Sequence, residues 1–197
     1  KLPGQEVKFW VAACSTGEEA FSLAILVHEY LEKSGQDFDI KIFATDIDKD
    51  AIEFAAKGCY SSHIEKDILP GRLEKYFEIT APNKYKVLPV IRKMVVFAQH
   101  DLVRNAPYSK IDLISCRNAL IYLNTVLQKS ILSKFQFSLK EDGYLFLGTS
   151  ENIGDFESVF LEIDKKWKIY KNSNAEKASM LKGFNTLGTV NTFITEG

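Results

Sequence analysis

The chain has 197 residues, 46% of them hydrophobic, and a formal net charge of -1. That length fits one domain with an appended segment and a sizeable core. The near-neutral charge excludes a nucleic-acid surface built on bulk positive charge, and no apolar run approaches the length of a membrane span.

Residues 1–6 are polar, so no signal peptide is read there. The chain opens at Lys1, without a methionine, almost directly into a strand, and is expected to be an excised fragment. "VKFWVAA" (7–13) is a β-rich run ending in small residues. "STGEE" supplies a helix start, with Ser15 or Thr16 as N-cap and acids facing the positive end of the helix dipole. The helix "EEAFSLAILVHEYLEKS" has apolar residues at helical spacing and ends near Gly35. "DIKIFATDID" is a second buried strand, and "DKDAIEFAAKGCY" a short helix stopped by Gly58. "EKDILPGRLEKYF" reads as helical but broken by Pro70 and Gly71. "YKVLPVIRKMVVFAQHDL" reads as extended, with Pro89 at an edge or bulge. "KIDLISCRN" is a strand and "ALIYLNTVLQKSILSKFQFSLK" a helix. "GYLFLGTSE" is a strand after the turn "EDG", and "DKKWKIYKN" a last strand.

Strands alternating with helices predict a mostly parallel, doubly wound α/β sheet. The last strand follows no long helix and is expected to return antiparallel. The domain is assigned to residues 1–170. From there the chain turns polar and rich in Gly, Thr and Ser, so 171–197 reads as a linker or tail. Cys14, Cys59 and Cys116 are odd in number and widely spaced, with no CxxC pair. They point to a reducing, cytoplasmic setting and away from structural zinc.

In such folds ligands bind beyond the carboxyl ends of the strands. Polar residues collect there: Ser15 to Glu19, Asp46 with Asp48, His100 to Leu102, Arg117 with Asn118, and Ser150 to Asn152. Asp46 can accept hydrogen bonds from both hydroxyls of a ribose, while Asp48 is the better N-cap for the following helix. Glu18 and Glu19 discriminate between ligands. A dinucleotide pyrophosphate needs GxGxxG and an uncluttered helix N-terminus. Two carboxylates would repel it but suit the ammonium of S-adenosylmethionine, although dipole compensation alone explains one of them. Arg117 is either a salt-bridged structural residue or part of the site, and Asn118 could simply cap a helix. Tyr122, four residues on, could stand beside Asn118, although such a residue is more often a core aromatic. His28, His63 and His100 share no metal-ligand spacing, and no Ser/His/Asp set assembles.

Together, "FWVAACSTGEEAFSLAI", "FATDID", "HDL", "DLISCRNALIYL" and "GYLFLGTSEN" resemble the chemotaxis receptor methyltransferase family, CheR, in order over residues 7 to about 170. "VVFAQHDLVRNAPYSKIDLISCRN" and "DKKWKIYK" look most like the methyltransferase domain of hybrid methylesterase/methyltransferase sensor proteins. The resemblance implies a Rossmann-like class I fold and an S-adenosylmethionine-dependent O-methyltransferase. It would act on glutamate side chains of a chemotaxis receptor's cytoplasmic domain and leave S-adenosylhomocysteine. By motif, Glu19 would hold the ammonium region and Asp46 the ribose. Asp101 and Leu102 would line the adenine side. Arg117 and Asn118 would flank the methionine and sulfonium end, and Tyr122 would face the acceptor carboxylate.

Two features depart from the family pattern. The family's N-terminal helical domain and its "T-x-FFRE"-like segment precede the first strand and are missing here. Asp101 stands where members often have asparagine. A small β-subdomain, which docks receptor tails in some members, maps to about residues 60–95. Three other readings stand beside the enzyme: a non-catalytic module binding S-adenosylmethionine or its product within a hybrid sensor, a nicotinamide-dependent oxidoreductase, and a small-molecule methyltransferase. The absent GxGxxG and the paired acids disfavour the oxidoreductase.

Overall fold

A computed structural model describes residues 5–173. Strand β1 (Glu6–Ala12) leads into helix α1 (Glu18–Ser34), which Gly35 ends in the left-handed conformation at φ 64°. Strand β2 (Asp39–Asp46) is followed by α2 (Lys49–Lys57). Asp48 caps α2 by accepting from the Asp50 and Ala51 amides, a bond typically worth about 1 kcal/mol. Then come β3 (Cys59–Ser61), a 3-10 turn (Ser62–Lys66), α3 (Pro70–Tyr76), β4 (Phe77–Ala81) and β5 (Lys84–Val87). Helix α4 (Pro89–Arg92), β6 (Val95–Gln99) and β7 (Ile111–Cys116) precede a 3-10 turn at Leu120–Tyr122. Helix α5 (Thr125–Ser138), β8 (Leu139–Leu147), a 3-10 turn (Gly154–Ser158), β9 (Phe160–Asp164) and β10 (Ile169–Asn172) complete the described chain.

The main sheet has the order β6-β2-β1-β7-β8-β10-β9. Its β6, β2, β1, β7 and β8 neighbours pair in parallel, and β10 runs antiparallel to both β8 and β9. Side chains alternate across the sheet, so β1 serves two cores. Val11 packs with Phe21, Ile25 and Ile42 beneath α1. Trp10 and Ala12 pack with Ile114, Ile131 and Phe135 beneath α5. A second, three-stranded sheet, β3-β5-β4, lies within the expected subdomain segment.

Several expected elements differ. Neither Ser15 nor Thr16 caps α1: Gly17 does, at φ 92°, without a side-chain bond. Pro70 and Pro89 open helices instead of breaking or bulging the chain. Leu69 and Leu88 before them are extended, as a residue preceding proline prefers, and a proline at the first helical position loses no hydrogen bond. The expected helix over 119–140 starts six residues late. Asn124 accepts from the Leu127 amide at 3.0 Å and starts α5 afresh. "EDG" is no turn between elements but a bulge inside β8, where the register to β7 shifts and Asp142 has φ 64°. The last expected strand is a hairpin: Asp164 accepts from the Trp167 amide, and the chain returns as β10. Strand β10 takes in Lys171 and Asn172, and the rest of the expected linker, 174–197, lies outside the described residues.

Candidate active site

Register aligns the strand ends. Ala12 stands opposite Thr45 and Cys116, Asp46 opposite Gln99, and Cys116 opposite Leu147. The segments leaving these five parallel strands therefore form one rim, where this topology places ligands.

The first segment is a tight turn. Gly17 donates its amide to the Cys14 carbonyl, and Ala13 and Ser15 both have positive φ. A Cβ on Gly17 would lie 2.8 Å from the Ala55 Cβ and 3.0 Å from Phe97, so glycine is required by close approach as well as by φ. Tyr60 donates its hydroxyl to the Thr16 carbonyl from β3. Asp46 ties the turn to β2: its Oδ2 accepts from the Ser15 amide at 2.8 Å and its Oδ1 from the Asp48 amide at 3.0 Å.

Glu19 is held from the fourth segment. The buried Ser115 donates to its Oε1 at 2.5 Å, and Arg117 Nη1 lies 3.5 Å from its Oε2. Arg117 also stacks over Phe146 at 4.9 Å, and its Nε is a buried donor with no partner. Glu18 is exposed and accepts from the Thr16 hydroxyl. Behind the turn, Glu18, Phe21, Phe54 and Tyr60 border a cavity of about 320 Å³. Burial, then the charge of Asp46, pushes Cys14 up to about 12, so it stays a neutral thiol at ordinary pH.

The third segment is held both from within and from α5. Asp101 Oδ1 accepts from the Val103 and Arg104 amides, and Arg104 Nε lies 3.6 Å from its Oδ2. Those bonds, Arg104's first, hold the carboxyl below its ordinary value. The Lys134 ammonium, reaching from α5, donates to the carbonyls of Leu102, Val103 and Asn105. His100 is buried, and its Nε2 donates to the Ala106 carbonyl.

Asn118 does not cap a helix. It has φ 59° and precedes the 3-10 turn, so Tyr122 is not one α-helical turn away on a shared helix. Tyr122 is also no core aromatic: it is 81% exposed. Glu19, Ser115 and Arg117 thus form one connected group, and Asp46 a second around the turn. Asp101 is engaged within its own loop. Sequence reading left Ser115, Lys134 and Glu151 without roles. Of these, Glu151 carries a signal, being an acid in the polar segment "GTSEN" that follows an apolar strand.

Among the described residues there is no group of three or more His, Cys, Asp or Glu suited to a metal, and no helix long and apolar enough to cross a membrane. The family model "CheR methyltransferase, SAM binding domain" matches residues 1–169. An uncharacterized 104.1 kDa protein of Rhodobacter capsulatus is 36% identical over 168 residues, 85% of this chain and 18% of that protein. A chemotaxis protein methyltransferase of Borreliella burgdorferi is 38% identical over 152 residues, 75% of this chain and 53% of that protein. The chain thus spans about half the length of the chemotaxis methyltransferase it matches and under a fifth of the larger relative. In fold it is similar to the N-methyltransferase NodS of Bradyrhizobium japonicum, solved with S-adenosyl-L-homocysteine. The TM-score is 0.54 at 12% identity, covering 85% of this chain and 79% of NodS.

Proposed function

The chain belongs to the CheR methyltransferase family through its S-adenosylmethionine-binding domain, and from that premise we propose that it transfers a methyl group to glutamate side chains of chemotaxis receptors or related signalling proteins. The observation that carries this is Glu19, a carboxylate fixed by Ser115 and Arg117 beside a turn with a single glycine. That arrangement suits an ammonium and repels a pyrophosphate. The part-exposed Arg117 guanidinium adds a cation at the same rim, which fits a ligand that also carries a carboxylate.

S-adenosylmethionine, when bound, supplies a sulfonium methyl, and the acceptor carboxylate is already a nucleophile. The chain therefore needs no general base; its task is alignment and exclusion of water. In this reading Glu19 receives the ammonium, Asp46 the ribose hydroxyls, and Asp101 with Leu102 the adenine side. Arg117 and Asn118 flank the methionine end, and the exposed Tyr122 meets the incoming acceptor. The described residues through Asn172, the end of β10, are the donor-binding domain, in the cytoplasm. The 104.1 kDa relative, of which the chain matches 18%, supports further domains covalently linked to this one.

Calorimetric titration with S-adenosylhomocysteine, with NAD as control, tests the reading. Binding of the first alone is expected. Binding without methyl transfer to any receptor fragment would assign the non-catalytic module instead, and binding of NAD would overturn both.

A further inference from the structure

Glu151, in the segment after β8, is 4% exposed. Its carboxylate accepts four backbone N–H groups. Oε2 takes those of Gly148 at 2.6 Å and Asn118 at 3.2 Å, and Oε1 takes those of Ala119 at 2.9 Å and Leu120 at 2.8 Å. Among the described residues no basic side chain pairs with it. A buried carboxylate without a cation persists when donors satisfy its oxygens, and here each oxygen meets two.

Three of those donors are consecutive and directly follow Arg117. Their convergence on one carboxylate demands a sharp turn, and Asn118 accordingly sits at φ 59°, a conformation that side-chain-bearing residues adopt at a cost. Gly148 completes the clamp: a Cβ there would stand 2.8 Å from Glu151 Oε2 and 2.9 Å from the Asn118 amide nitrogen. We infer that Glu151 is a positioning residue for the methyl-donor site, fixing the backbone turn that carries Arg117 to Glu19 and Asn118 to the rim. This role rests on the proposed function. Glutamine cannot replace it, because either orientation of an amide sets its NH₂ group against two N–H donors.

Glu151→Gln and Gly148→Ala are compared with the parent chain by titration with S-adenosylhomocysteine, alongside thermal unfolding. Each single variant is expected to raise Kd at least tenfold. The double variant should be no worse than the weaker-binding single, since both break the same clamp. A purely structural clamp would lower the melting temperature and leave the folded fraction's Kd within twofold of the parent, and that result overturns the role. Should neither variant fold, amide exchange in the parent decides. Slowing at residues 118–120 on adding ligand supports the role, and no change overturns it. A parent chain silent toward the ligand removes the methyl-donor reading and this role with it. That failure differs from a parent that binds alongside variants that bind equally well.

Discussion

Ser115, at the penultimate position of β7, donates its hydroxyl to Glu19 in the first turn of α1 at 2.5 Å. The bond joins the sheet to the helix whose N-terminus forms the first wall of the rim. A hydrogen bond to a charged group contributes about 1.5–3 kcal/mol. Ser115→Ala should therefore free Glu19 and weaken S-adenosylhomocysteine binding by about tenfold, read by calorimetry. Unchanged affinity would place Glu19 outside the donor site.

Asp46 has a structural duty as well as its proposed one, since it accepts from the Ser15 and Asp48 amides. Asp46→Ala should lower unfolding free energy by about 1–3 kcal/mol without abolishing the fold, and reduce ligand affinity by more than tenfold. A folded variant with parental affinity removes Asp46 from the site.

Gly17→Ala combines a positive φ with contacts of 2.8 and 3.0 Å to Ala55 and Phe97. Strain and overpacking together should cost about 2–4 kcal/mol in urea unfolding. A loss under about 0.5 kcal/mol would mean that the turn shifts freely.

Lys134 gathers three carbonyls of the loop after β6 at 2.6 to 3.0 Å. Lys134→Met keeps the apolar stem and removes the donors. Amide exchange across residues 101–105 should accelerate about tenfold, following from about 1.4 kcal/mol of lost local stability. Unaltered exchange would show the loop to be self-supporting through Asp101.

The Asp101 carboxyl is held below its ordinary value by the Arg104 and Val103 amides. A group with a lowered folded-state pKa stabilises the fold above its unfolded value, near 3.9, and loses that contribution as pH falls through the folded one. Asp101→Asn keeps an acceptor and discards the charge. Parent and variant should differ in melting temperature at pH 7, and the difference should shrink as pH falls through the folded-state value, below the ordinary one. A difference constant across that range would assign the effect to packing.

Much of this was legible in the residues. The β-rich apolar run in "VKFWVAA" and the period of 3.6 in "EEAFSLAILVHEYLEKS" mark elements whose apolar faces are buried wherever they land. Asp48 works as a cap because a cap needs only its own two or three following amides. The misreadings share a cause. Pro70 reads as a helix breaker, Pro89 as an edge or bulge of extended chain and Asn124 as helix interior, whereas each starts an element, since local backbone geometry outranks the pattern of the side chains around it.

The sequence by itself determined the alternating α/β order, the antiparallel return of the last strand and the strand-end positions of Glu19, Asp46 and Arg117. Those follow from local periodicity and the order of elements along the chain. Tertiary structure alone decided which side chains meet. Ser115 reaches Glu19 across 96 positions of chain, and Glu151 reaches back about 30 residues to three consecutive amides. Such pairings depend on the register between β1, β7 and β8, which is fixed when the two cores close and which no local pattern encodes.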